Sequence, residues 1–190
     1  MGPPPGFVYR PDVITLDDEA ALVSGLRGLT FNEIRMRGQV ARRRTVHFGW
    51  LYGYETWKIE PGPPIPDFML PLRQRCATLA GEDAERFVEV LVTEYPPGAG
   101  IGWHRDAPMF GAVVGVSLLS ACRFRFQCGT GTERQTGEAV LAPRSAYVLD
   151  GEARWRWQHS IPAIATPRYS ITFRTLLDRA QAEARRGSIP

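Results

Sequence analysis

From Phe87 onward the chain falls into short runs of branched and aromatic residues separated by glycine and proline. Val88 to Tyr95, Val113 to Leu119, Cys122 to Gln127, Glu138 to Leu141, Ala146 to Leu149, Arg154 to His159 and Tyr169 to Leu176 read as seven strands. Many short strands bounded by turn residues fit a sandwich or jelly roll and not a doubly wound sheet. In the last run Arg168, Ser170, Thr172 and Arg174 project to one side and Tyr169, Ile171 and Phe173 to the other. Phe87, Leu91, Thr93 and Tyr95 share a face of the first run. Trp155, Trp157 and His159 share an inward parity, with Arg154, Arg156 and Gln158 outside. Two helices come earlier. Asp17, Asp18 and Glu19 crowd the start of one that Thr15 can cap, that carries Leu22 and Leu26 inward and that stops near Gly28; the second runs from about Pro66 to Ala80 with Leu72, Cys76 and Leu79 on one face.

A length of 190 residues, with 44% hydrophobic and 23% charged positions, suits one folded domain with a substantial core. No apolar run is long enough to span a bilayer, and the proline-rich start has no signal-peptide pattern, so the expectation is a soluble cytoplasmic protein, and a monomer. Residues 1–8 read as a flexible tail, 9–82 as helices and a substrate lid, 83–178 as the strand-rich core and 179–190 as a C-terminal tail. Cys76, Cys122 and Cys128 are odd in number and lack paired spacing, which points to reduced structural thiols. The net charge of +3 rests almost wholly on arginine, since Lys58 is the sole lysine. Arginine forks onto phosphates and stacks on bases, although a coding bias toward arginine is the better account of the bulk composition.

The chemistry gathers around a glycine- and proline-rich entry, Tyr95-Pro96-Pro97-Gly98-Ala99-Gly100-Ile101-Gly102-Trp103-His104-Arg105-Asp106. His104 and Asp106, two residues apart, share a face of an extended chain while Arg105 points away. The chain has three histidines, and His159 lies far downstream. Two imidazoles and one carboxylate on one face of an octahedron are the ligand set of a non-heme Fe(II) oxygenase. Arg168 and Arg174 are six residues apart, roughly 20 Å along a strand, and two long guanidinium arms reaching inward leave room for a short dicarboxylate held at both ends.

Tyr95, then His104-Arg105-Asp106, then His159-Ser160-Ile161-Pro162, then Arg168-Tyr169-Ser170-Ile171-Thr172-Phe173-Arg174 strongly resembles the AlkB family of Fe(II)/2-oxoglutarate-dependent dioxygenases, from about Phe7 to about Leu177. The resemblance implies a mainly β, α+β fold with flanking helices around a double-stranded β-helix (jelly roll) core. It implies that His104, Asp106 and His159 bind Fe(II), that Arg168 holds the distal carboxylate of 2-oxoglutarate with Tyr95 beside it, that Arg174 sits near the C1 carboxylate, and that O2 takes the last iron site. The implied reaction removes N-alkyl groups from nucleic acid bases, releasing formaldehyde, succinate and CO2, as in alkylation repair. Thr93 and Ser170 stand where the family often has asparagine; each keeps a hydrogen-bonding group of shorter reach. Ala107-Pro108-Met109-Phe110 follows Asp106 where many repair members carry acids, which favours a protein or small-molecule substrate as the alternative. Arg42-Arg43-Arg44-Thr45-Val46-His47-Phe48-Gly49-Trp50-Leu51-Tyr52-Gly53-Tyr54 resembles the family's substrate lid. There Arg42 and Arg44, with Arg105, would contact single-stranded DNA or RNA, and His47, Trp50, Tyr52 or Tyr54 would stack on an extruded base. A jelly-roll module that keeps the metal without turnover is the third reading.

Overall fold

A computed structural model describes residues 2–36, 38–52 and 59–177. In chain order the elements are β1 (Phe7–Arg10), α1 (Leu16–Arg27), β2 (Asn32–Met36), β3 (Gln39–Tyr52), β4 (Ile59–Pro61), α2 (Leu70–Ala80), β5 (Phe87–Tyr95), β6 (Ile101–His104), β7 (Phe110–Leu118), β8 (Cys122–Cys128), β9 (Gln135–Leu141), β10 (Ala146–Leu149), α3 (Gly151–Trp155), β11 (Gln158–Ile161) and β12 (Arg168–Leu176). Helix α1 begins as its sequence dictates. The Thr15 hydroxyl accepts from the Asp18 backbone N–H at 3.1 Å, and the Asp18 carboxylate accepts from the Thr15 N–H at 3.0 Å, which closes a capping box. The helix buries Leu22, Val23 and Leu26 and ends at Gly28. Helix α2 follows a short 3-10 turn, buries Leu72, Cys76 and Ala77, and stops where Gly81 takes a left-handed φ of 68°.

The strands form two sheets. The larger has the order β1-β10-β7-β12-β5-β3-β2, with β4 paired to β3, and the smaller has the order β6-β11-β8-β9. Strands β5 to β12 thus supply two facing four-stranded layers, β10-β7-β12-β5 and β6-β11-β8-β9, the arrangement of a double-stranded β-helix. Strand alternation sorts β12 between two cores. Tyr169, Ile171 and Phe173 join Val90, Val92, Leu26 and Met69 on the helix-covered face. The opposite face looks toward the second sheet, where Phe124, Phe126, Leu141, Leu149, Trp157 and Ile161 pack. Among the described residues no helix is long and apolar enough to cross a membrane.

Several expectations are corrected. Residues 154–159 are not a strand: Gly151, at φ 47°, leads the short helix α3, and β11 begins only at Gln158. The Arg-Trp-Arg-Trp alternation mimics a two-residue period, yet the helical turn puts Ala153 and Arg154 side by side inside the protein. Phe87 lies in the helix-side core, because the β12–β5 register shifts between Arg174 and Thr175. Phe7 and Val8, expected in a tail, open β1 and pair with Leu149 and Val148. The strand reading missed β6, whose Gly102 and proline-rich approach hide a strand pattern.

Candidate active site

His104 ends β6 and His159 sits in β11, and the antiparallel register places the two directly opposite. Residues opposed in this way share a sheet face, and the ring centroids are 4.3 Å apart. His104 Nδ1 lies 2.9 Å from the Gly102 carbonyl. A carbonyl only accepts, so Nδ1 carries the hydrogen and Nε2 keeps a free lone pair. His159 Nε2 stands 3.6 Å from Asp106 Oδ2. Burial pushes both histidines below the ordinary imidazole range, His159 to about 3, so both rings are neutral near pH 7, the form that binds metal. Asp106 is drawn the other way. Burial opposes its charge, but the fields of the permanently charged Arg174 and Arg154 help to outweigh burial and hold it well below the usual carboxylate range. Arg174 donates to Asp106 Oδ1 through Nε at 2.9 Å and through Nη2, which leaves Oδ2 turned toward His159. Among the described residues no three such donors are already drawn up to the spacing of a bound metal. The chain presents two neutral imidazoles and one anionic oxygen on a common wall.

The neighbouring strands β5 and β12 line the same cavity through Leu91, Thr93, Tyr95, Ser170, Thr172 and Arg174, in a register that sets Tyr95 opposite Arg168, Thr93 opposite Ser170, Leu91 opposite Thr172 and Glu89 opposite Arg174. Arg168 is 1% exposed. Its Nε donates to Ser117 Oγ at 2.9 Å and its guanidinium lies over the Tyr95 ring at 5.1 Å. Nη1 and Nη2 have no hydrogen-bond partner among the described residues. A buried cation with two unused donors is costly unless an anion meets it, and a planar fork fits a carboxylate. Burial raises the Tyr95 pKa, and the neighbouring Arg168 only partly offsets this, so its hydroxyl stays protonated. The donor set therefore fits a short dicarboxylate between Arg168 and a metal at the histidines. Arg174 lines the same cavity as His104, Asp106 and His159, and its guanidinium donates to both Asp106 and Glu89.

The lid expectations fare unevenly. In β3, Arg44 pairs with Glu94 in register and donates to it at 2.6 Å, and it lies over Phe31. That is the helix-side face, away from the cavity. Arg42 shares this parity, and its guanidinium rests against Gly98. The site-facing arginine is Arg43, one residue along; it reaches the Gly100 carbonyl at 3.4 Å, and its charge acts on Tyr95 and His104. A one-residue change of register exchanges the faces of a strand, and the run of three arginines conceals which one points inward. His47 also faces the site side, and its Nδ1 donates to Glu89 at 3.0 Å, so a carboxylate fixes the ring while its side chain stays partly exposed. At Gly49, φ 79°, β3 leaves β5: the Gly49 N–H goes to Pro63 and its carbonyl accepts from Gly62. Trp50, 39% exposed, follows on the arm formed with β4. The Tyr52 side chain and Tyr54 lie outside the described residues. Arg105 is exposed and donates to the Arg156 carbonyl at 3.4 Å.

Sequence reasoning missed two buried groups. Arg154 donates to the carbonyls of Asp106, Ala107, Phe110 and Gly111 at 2.6 to 3.3 Å, which pins the segment behind the Asp106 ligand position. Glu89 is 1% exposed in a run of valines, and a lone acid in an apolar strand was the available clue.

The fold and this donor wall together are those of a jelly-roll oxygenase. The chain belongs to the 2OG-Fe(II) oxygenase superfamily, which it matches over residues 15–179, and its likeness to AlkB-like dioxygenases is supported by the following relatives. An "Alkylated DNA repair protein ALKBH8 homolog" of Arabidopsis thaliana is 26% identical over 182 residues, 83% of this chain and 51% of that protein. The "tRNA (carboxymethyluridine(34)-5-O)-methyltransferase ALKBH8" of Mus musculus is 27% identical over 175 residues, 87% of this chain and 25% of that protein. The chain therefore spans about half or less of the length of these relatives. The solved structure of OsALKBH1 superposes with a TM-score of 0.66 at 16% identity, covering 92% of this chain and 99% of that one, a likeness of fold.

Proposed function

We propose that this chain removes N-alkyl groups from nucleic acid bases, using Fe(II), 2-oxoglutarate and O2. The observation that carries the reading is the buried, unpartnered fork of Arg168 in the interior that also holds His104, Asp106 and His159. In this reading His104 and His159 hold iron through Nε2 and Asp106 through Oδ2. Arg168 takes the distal carboxylate of the co-substrate, Tyr95 donates a hydrogen bond to it, and Thr93 and Ser170 offer hydroxyls between the two ends. With iron bound, O2 would be the oxidant, taking two electrons from 2-oxoglutarate, which leaves as succinate and CO2, and two from the alkyl C–H bond, so that a hydroxylated N-methyl carbon departs as formaldehyde. The protein's own contribution is positional. Burial keeps both imidazoles neutral, Arg174 keeps Asp106 ionised and oriented, and Leu91, Ile101, Phe124 and Ile161 wall the cavity against water.

Arg43 on the site side, Arg105 just past the end of β6, and the exposed Trp50 on the arm support a nucleic acid substrate, since an extruded base needs a stacking surface and its phosphates need cations. The names of the two relatives concern alkylated DNA and tRNA. Ala107-Pro108 after Asp106 favours a second reading, oxidation of a protein or small-molecule substrate, because no acid there can meet a base amino group. The test supplies oligonucleotides carrying 1-methyladenine or 3-methylcytosine with Fe(II) and 2-oxoglutarate, and follows succinate and oligonucleotide mass. Loss of the methyl mass by the parent and not by Asp106→Ala is expected; succinate formed with every oligonucleotide mass unchanged would move the substrate to the second class.

A further inference from the structure

We propose that Glu89 is a positioning residue for the metal: it takes up part of the Arg174 charge, so that Asp106 is not fully committed to that arginine and keeps one oxygen for iron. The inference rests on the ligand assignment above. Glu89 stands on β5 between Val88 and Val90, opposite Arg174 in register. Its two oxygens accept from Arg174 Nη1 at 3.2 and 2.9 Å, while Nε and Nη2 of the same guanidinium close on Asp106 Oδ1. One arginine is thus shared by two carboxylates from different parts of the chain. His47 holds Glu89 from the other side through Nδ1, which carries the hydrogen because a carboxylate only accepts.

The charge balance gives this arrangement its consequence. Arg154, Arg168 and Arg174 are buried around this interior, against the carboxylates of Asp106 and Glu89. Without the Glu89 charge, three buried cations face one buried anion before a dication arrives. Asp106 would then be the acid left to Arg174 in this pair, and a metal would have to draw it from an undivided guanidinium charge in a medium where charges are weakly screened. The Glu89 side chain has no place among the metal donors; it acts through Arg174.

Co(II), which binds such donor sets without turnover, is the probe, added to metal-free protein and followed by calorimetry and by its ligand-field spectrum. Glu89→Gln keeps size and one acceptor and removes the charge. Its Co(II) affinity is expected to fall by about tenfold or more, while its metal-free circular dichroism matches the parent, and Glu89→Asp, which keeps the charge, is expected to stay within about threefold of the parent. Equal Co(II) affinity in Glu89→Gln and the parent overturns the proposal. A parent that binds no Co(II) overturns instead the ligand assignment beneath it. Should Glu89→Gln fail to fold, Glu89→Ala is read beside Glu89→Asp: a roughly tenfold loss in the first with near-parent affinity in the second supports the charge argument, and equal affinity in Glu89→Ala and the parent, or a roughly tenfold loss in Glu89→Asp, defeats it.

Discussion

Replacing Arg168 with methionine separates a co-substrate anchor from a structural bond. In the ligand-free protein the substitution removes one hydrogen bond, from Nε to Ser117 Oγ at 2.9 Å, worth about 1 kcal/mol. It also removes a fully buried cation whose Nη1 and Nη2 meet no acceptor among the described residues. Exchanging such a charge for an apolar side chain of similar size is neutral or stabilising by roughly 1–4 kcal/mol. The ligand-free melting temperature is therefore expected to hold or to rise by several degrees, at about 2–4 °C per kcal/mol for a domain of this size. With 2-oxoglutarate the sign reverses. A carboxylate on a planar fork makes two charge-assisted bonds, and truncating one partner of a buried pair costs about 3–5 kcal/mol. At 1.4 kcal/mol per tenfold, the KM for 2-oxoglutarate should climb by roughly 100-fold or more. Succinate formation across a co-substrate titration measures the second effect and thermal unfolding the first. A KM within about threefold of the parent, or a ligand-free melt lowered by more than about 5 °C, would refute the reasoning and make Arg168 a structural residue.

Arg154→Met removes four buried carbonyl partners at once, so a stability loss of about 3–5 kcal/mol is expected in chemical denaturation; a loss under about 1 kcal/mol would mean that water replaces the arginine freely. Arg43→Ala is expected to weaken binding of single-stranded oligonucleotides and to flatten its salt dependence, whereas Arg44→Ala, on the far face and paired with Glu94, leaves both unchanged and costs at most about 1 kcal/mol of stability. Titrations at two salt concentrations check this pair, and the reverse ranking would show that the arm presents its other face to the substrate.

The parts of the fold with a strict local rule were legible. The alternation Arg168, Ser170, Thr172, Arg174 against Tyr169, Ile171, Phe173 sorts the two cores as read, because each strand side meets a different solvent-free layer. Thr15 and Asp18 reveal the start of α1 because the cap involves only neighbours in sequence. His104, Asp106 and His159 were legible as a set because so few histidines were available. What depended on distant partners was not. Arg154 reads as an outward strand residue until four carbonyls from another loop are known to await it. The inward member of Arg42-Arg43-Arg44 depends on the register of β3 against β5, which no local period fixes. Glu89 has meaning only with Arg174 across the sheet.

Gly49 carries an implication for how this protein can diversify. A methyl group there would sit 1.9 Å from the Val88 carbonyl, so the backbone turns where no side chain fits, and the arm beyond is paired to β4 instead of to the strands that hold the donors. Residues past this corner can change shape and chemistry without tugging on β5 or β12. Under the proposed reading, the part of the substrate surface that lies beyond Gly49, Trp50 foremost, could be altered with little mechanical effect on the oxidising interior, whereas Arg43 and Arg105 could not.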